Sequence, residues 1–286
     1  MRGGVAGLVL FLAVVLSGHA GAEERTIRIG VTPVILKDQS GFLDAWRDYL
    51  EDRTGYSVDF VRRGSYGEIV ELARRERIDF AWLCGFPYVT EQGSVELLAV
   101  PVYDGKPTYQ SYIIVGEDKS DTRGMEDLEG VVFAFSDPNS NSGWLYPETR
   151  LHAKGLNSDE FFRQSFFTYG HRNVVEAVAE GLADAGAVDG YVWETLKKRG
   201  SGLTERTRVI ERSPEFGFPP LVATRAADDE MRARFRGALR DMTDHPGGRD
   251  LLEALNLDGF VDGEDAWFDG IRELSRQVSR DEAPGG

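Results

Sequence analysis

Cysteine is nearly absent from these 286 residues, with Cys84 standing alone. Disulfides therefore cannot hold the fold together, and no C-x-x-C redox pair exists. Long apolar runs are as scarce, since only Val5 to Leu16 is sustained, short of the roughly 20 residues of a membrane span. Cations are outnumbered. Lys and Arg total 33 against 48 Asp and Glu, for a formal charge of -15, which argues against a nucleic-acid partner and gives no long-range pull on anions. Any anion site must rely on local donors such as backbone N–H groups and helix N-termini. The sequence also has no G-x-S-x-G elbow, no P-loop and no paired metal-ligand spacing, and its acids form no recognisable catalytic pair. These absences predict a protein without catalytic residues, metal or cofactor.

What is present begins with a leader. Arg2 precedes the apolar run, and Ser17-Gly18-His19-Ala20-Gly21-Ala22 follows it. That order reads as a cleaved signal peptide over residues 1–22, with a mature start near Glu23 in the periplasm. About 264 residues then remain, enough for two lobes with a core each.

Periodicity supplies the elements. Thr26–Val31 alternates as a strand; Phe42, Ala45, Trp46, Tyr49 and Leu50 recur at helical spacing up to Gly55; Val58–Val61 reads as a second strand. Ser65 and Glu68 stand in the S-x-x-E relation that opens a helix at Tyr66. Ile78–Leu83 is apolar enough for a buried strand. Further strands are expected near Ser111–Val115, Val131–Phe135, Phe166–Tyr169, Ala183–Val188, Thr207–Ile210 and Leu221–Thr224, with helices between and after them. The alternation implies an α/β protein with mostly parallel sheets flanked by helices. The simplest architecture has two lobes joined by crossing strands, one of residues 23–115 and 213–286, the other of 116–212, with the ligand cleft between. A single doubly wound domain is the alternative.

The most informative stretch runs from Phe135 to Pro147. Ser140, Asn141 and Ser142 precede a helix whose free N–H groups carry the positive end of its dipole, which suits an anion. An ordinary helix cap would use the same residue types. Here Asp137-Pro138-Asn139-Ser140-Asn141-Ser142-Gly143 resembles the D-P-x-S-x-S-G turn of the periplasmic phosphonate, phosphite and phosphate binding proteins of ABC transporters. Gly64-Ser65-Tyr66, Ile78-Asp79-Phe80-Ala81-Trp82, Gly105-Lys106-Pro107-Thr108-Tyr109 and Gly170-His171 resemble that family's other landmarks in register.

The resemblance implies a solute-binding protein that captures a small oxyanion (phosphate, phosphite or a phosphonate) for an inner-membrane ABC permease, acting as a monomer. It further implies that Ser140, Asn141 and Ser142 bind the ligand through hydroxyls and N–H groups, with Tyr66 and Tyr109 from the first lobe and His171 from the second. Each tyrosine has an ordinary packing role as its alternative, and His171 a capping role; as a ligand group it would donate from one or both ring nitrogens. Aminophosphonate binders of the family hold the amine with acids, one of them in a Gly-Asp-Pro turn. This chain has Gly217-Phe218-Pro219 there, which favours a ligand without an amine, although Asp189 can still face the cleft or serve as a turn residue.

Two rival functions remain open. Cys84 ends a strand where α/β sheets bind ligands, so its thiolate could ligate arsenite, or it could be a small buried hydrophobe; the arrangement resembles that of arsenite-sensing relatives of the family, which implies as the alternative a sensor serving a membrane histidine kinase. An enzyme on the same fold is the other.

Overall fold

The computed structural model describes residues 25–32 and 41–281, so the expected leader and its cleavage site lie outside the described residues. Thirteen strands among these residues form two mixed sheets and a short ribbon. The first sheet contains β1 (Thr26–Val31), β2 (Ser57–Arg62), β3 (Phe80–Trp82) and β4 (Val95–Val102). A ribbon strand, β5 (Thr108–Tyr109), leads to β6 (Ser111–Gly116), β7 (Val132–Phe135), β8 (Gln164–Phe167), β9 (Ala185–Asp189) and β10 (Thr207–Arg212), which form the second sheet. The returning ribbon strand β11 (Phe216–Gly217) precedes β12 (Leu221–Thr224) and β13 (Gly259–Val261), which complete the first sheet.

Spatial order is β13-β4-β12-β3-β1-β2 in the first sheet and β10-β6-β9-β7-β8 in the second. The β-α-β alternation legible in the sequence accounts for the parallel pairs, β1 with β2 and β3, and β7 with β8 and β9. Antiparallel pairs arise where the chain crosses or returns, as β12 enters between β3 and β4. The chain therefore folds as two lobes, each a mixed sheet flanked by helices. Ser111–Gly116, expected at the end of the first lobe, hydrogen-bonds wholly within the second sheet, to β9 and β10. The paired strands β5 and β11 span the passage between the sheets.

Local chemistry fixes the helices that matter for the site. Gly55 closes the helix Phe42–Thr54 in the left-handed region, φ 73°, where glycine pays no Cβ penalty. Ser65 and Glu68 form the expected reciprocal capping box at the start of Tyr66–Arg74. Strands β4, β5, β11 and β13 went unread. Pro101 interrupts the apolar run of β4, and the other three have only two or three residues each, too few for a period to emerge.

Each lobe has its own aromatic stack, Phe80 on Phe235 at 4.2 Å and Phe133 on Phe162 at 4.3 Å between centroids. The C-terminal helix Asp269–Asp281 touches both lobes, packing on the helix Gly85–Thr90 of the first and on Tyr146–His152 of the second. A Cβ on Gly85 would lie 2.4 Å from Ile271 Cδ1, so a side chain there would require the Ile271 side chain to move.

Phe235 belongs to the returning part of the chain and is fully buried against β3. Phe235→Ala is expected to cost about 3–5 kcal/mol, measured by urea denaturation. A cost under about 1 kcal/mol would show that the returning helix is not integral to the first lobe's core.

Candidate functional site

The turn after β7 is built to present polar groups inward. Ser140 Oγ accepts from Gly143 N at 2.9 Å, and Leu145 N and Tyr146 N reach back five residues to Ser140 O and Asn141 O. That widens Asn141–Leu145 into a π turn, a geometry common at functional sites. Gly143 makes it possible, because a Cβ there would sit 1.8 Å from Ser136 Oγ and 3.1 Å from His171 Cε1. Ser111 Oγ on β6 donates to Ser142 O at 2.6 Å and anchors the turn from behind.

The first lobe meets this turn directly. Tyr66 N, the first N–H of its helix, donates to Asp137 Oδ2 at 3.0 Å, while Asn139 N donates to Oδ1 at 2.8 Å. A carboxylate at a helix N-terminus is favoured both as hydrogen-bond acceptor and by the dipole. Asn141 N donates to Cys84 Sγ at 3.3 Å, and Asn141 Nδ2 to Tyr109 Oη at 3.0 Å. The cleft is thus closed. Tyr66, Ser140, Asn141 and Ser142 are fully buried, and Cys84, Tyr109, His171 and Asp189 nearly so.

Several buried atoms in this cluster lack a hydrogen bond of good geometry among the described residues, namely Tyr66 Oη, Ser136 Oγ, Asn141 Oδ1 and Ser142 Oγ, the last close enough to Tyr109 Oη to interact with it. Leaving such groups unmade costs about 1–3 kcal/mol each, so a cluster of them marks a place built for something else to bind. Three of the four are hydroxyls, able to donate.

His171 is a donor from one nitrogen. Its Nδ1 accepts from Asp189 N at 3.0 Å, which leaves the proton on Nε2, 3.4 Å from Ser140 Oγ. Burial pushes its pKa down to about 3, so the ring stays neutral. The alternative of donation from both nitrogens is overturned by the Asp189 N–H. Ser140 Oγ already takes Gly143 N–H, and its own proton is free to point at a ligand. Burial holds the Tyr66 and Tyr109 hydroxyls protonated, and the negative charge of Asp189 opposes their ionisation further. Burial also raises the Cys84 thiol, against the pull of the Asn141 N–H. A protonated thiol is a poor metalloid ligand. Asp189 caps the helix Gly190–Lys198 through Tyr191 N, 2.9 Å from its Oδ1, yet burial pushes its carboxyl up to about 7.

Phe218 closes one side. Its ring lies 5.8 Å from Tyr109, 5.0 Å from Tyr191 and 6.5 Å from Tyr103 between centroids. An open cavity of about 830 Å³ shares Tyr109 with the buried cluster, but its walls carry the Lys106–Glu215 ion pair and none of Ser140, Asn141 or Ser142.

The fold therefore brings together all eight residues singled out in the sequence: Tyr66, Cys84, Tyr109, Ser140, Asn141, Ser142, His171 and Asp189. Sequence reasoning missed Asp137 as an interlobe acceptor and Ser136 as an inward hydroxyl. The capping box at Ser65 marked the helix end that Asp137 reaches, but nothing in the chain paired residues 71 positions apart.

Asp137→Ala removes both carboxylate bonds and is expected to weaken the closed form by about 1.5–3 kcal/mol, seen as a larger radius of gyration in small-angle scattering; an unchanged profile would contradict the latch. Asp189 gives a pH signature. Its pKa rises from 3.8 to about 7 on folding, so the folded state binds more protons in that window and stability falls as pH rises through it. Thermal unfolding of the protein without ligand should show this decline, and Asp189→Asn should flatten it; a wild-type profile that rises across the window would refute the assignment.

Comparison with known proteins identifies the family. The phosphate-import protein PhnD of Mycolicibacterium smegmatis is 27% identical over 253 residues, covering 79% of this chain and 77% of that protein. A binding-protein component of a Pseudomonas aeruginosa ABC phosphonate transporter superposes with a TM-score of 0.83 at 22% identity, covering 92% and 91% of the two chains. PhnD1 from Prochlorococcus marinus, solved with methylphosphonate, gives 0.77 at 20%, covering 90% and 99%. The family described as "ABC transporter, phosphonate, periplasmic substrate-binding protein" matches residues 29–268. The chain belongs to this family of periplasmic substrate-binding components of ABC transporters.

Proposed function

We propose that this chain captures a small phosphorus oxyanion (phosphate, phosphite or a small phosphonate) between its lobes and delivers it to an inner-membrane permease. The carrying observation is the set of buried hydroxyls without a hydrogen bond of good geometry among the described residues, Tyr66 Oη, Ser136 Oγ and Ser142 Oγ, beside the free proton of Ser140 and the Nε2–H of His171. Tetrahedral oxyanions accept from several directions at once, and this set donates from both lobes. Because each lobe supplies donors, the ligand favours the closed form over the open one, which is the thermodynamic requirement for closure on binding. Relatives named for phosphate import and crystallised with methylphosphonate support the phosphorus class.

In this reading the first lobe comprises residues 25–110 and 213–281 and the second 111–212, with β5 and β11 as the hinge. Asn141 would position the turn through Tyr109 and Cys84 while adding its amide to the ligand. Phe218 puts an apolar ring where an ammonium partner would be needed, so the ligand carries no amine. The protonated Cys84 disfavours arsenite, and with it the sensor-kinase partner. The site has donors but neither an activated nucleophile nor a base aimed at one, so the chain binds without turnover. The leader at residues 1–22 would be cleaved on export, and the mature monomer would work in the periplasm.

Calorimetric titration with phosphate, phosphite, methylphosphonate, sulfate and arsenite tests the class. Replacing Ser140 and Ser142 together by alanine is expected to weaken the preferred phosphorus ligand by about 1–3 kcal/mol in a protein that still unfolds cooperatively. Unchanged affinity in that double variant would sink the site assignment.

A further inference from the structure

We propose that capture of the oxyanion takes up one proton from solvent and that Asp189 holds it. The inference rests on the phosphorus-oxyanion reading above and deepens it, because it says in which charge state the site receives its ligand.

Asp189 ends β9, is buried, and has its carboxylate at the start of the helix Gly190–Lys198, with Tyr191 N 2.9 Å from Oδ1 and the Val192 N–H also favouring its charged form, though less than burial opposes it. Groups from every neighbouring element face it. His171, at the start of its helix, accepts the Asp189 N–H. Tyr66 from the helix Tyr66–Arg74, Cys84 after β3, Tyr109 on β5 and Tyr103 beyond β4 all feel its negative charge. Ser111 on β6 is its strand partner. These are hydroxyls, a thiol and a neutral imidazole, with no lysine or arginine among them. Asp137, the other nearby carboxylate, has an N–H donor on each oxygen.

A dianionic oxyanion entering this space would set a second buried negative charge near an ionised Asp189, with no cation among the described residues of the cluster to offset either. Like charges that share a buried site resolve the conflict by protonating one member. The candidates to take the proton are few. His171 cannot accept it without losing the Asp189 N–H bond from Nδ1, and the tyrosines and Cys84 already carry theirs. Asp189 remains. Once protonated it gains an O–H donor, adding to the hydroxyl set that binds the ligand, whereas the ionised form can only accept. In the closed arrangement burial pushes this carboxyl up to about 7. At pH 8 most molecules therefore hold it ionised and have a proton to gain.

The test is calorimetry of phosphite binding at pH 8 in two buffers of different ionisation enthalpy. Wild-type protein is expected to take up about one proton per phosphite. Asp189→Asn keeps a competent helix cap and supplies a permanent N–H donor, so it should bind phosphite with uptake near zero. Wild-type binding without uptake overturns the proposal while leaving the oxyanion reading intact. Undiminished uptake in the variant overturns it too, since the proton then resides on the ligand. Failure of wild type to bind phosphite, phosphate or methylphosphonate removes the oxyanion reading and this proposal together. If Asp189→Asn does not fold, the infrared difference spectrum of wild type with and without phosphite at pH 8 decides: a new protonated-carboxyl band is expected, and its absence contradicts the assignment.

Discussion

Asn141 is the point at which the two lobes hold each other. Its backbone N–H reaches Cys84 Sγ and its amide reaches Tyr109 Oη, both from the first lobe's side of the cleft. One position away on each side stand Ser140 and Ser142, so the residue that joins the lobes also sets where the oxyanion donors point. The π turn, the missing Cβ of Gly143 and the anchor from Ser111 all serve to bring that one residue across. Asp137 adds a second crossing at the N-terminus of the Tyr66 helix. A change at any of these points alters closure and ligand contact together, because they share the same few atoms.

The electrostatic design follows from the acidic composition. With a formal charge of -15 the surface does not draw anions in, and the closed cluster holds no cation among the described residues to compensate one. Selectivity in such a site comes from the number and direction of O–H and N–H donors. Neutral donors leave the ligand's charge state to be settled by the nearest titratable group, and that group is Asp189. The same feature explains why His171 is kept neutral. An imidazolium would need its Nδ1 back from Asp189 N, and the strand end and helix cap would lose a bond in exchange.

The local parts of the candidate site were legible in the sequence, whereas Tyr66, Tyr109 and His171 entered only through the family resemblance. A capping box announces a helix start within four residues, and Ser65 with Glu68 behaves as the spacing says. The Asp137–Gly143 stretch announces a polar turn by residue type alone. The illegible parts are those set by distant pairing. Nothing near Ser111 in the chain shows that it will join β9 and β10 rather than the first lobe's sheet, since an apolar alternation fits either. Asp137 reads as an ordinary turn residue until the helix 71 positions earlier is laid beside it. The tautomer of His171 was likewise out of reach, being fixed by a backbone N–H on another strand.

If the oxyanion sits among neutral donors contributed by both lobes, a crystal structure of the protein grown with phosphite will show it there. The anion is expected within hydrogen-bond distance of Tyr66 Oη, Ser142 Oγ and His171 Nε2, with no lysine or arginine in contact. Phosphite found instead in the open cavity beside Lys106 and Lys197, with the Ser140–Ser142 turn unliganded, would contradict it.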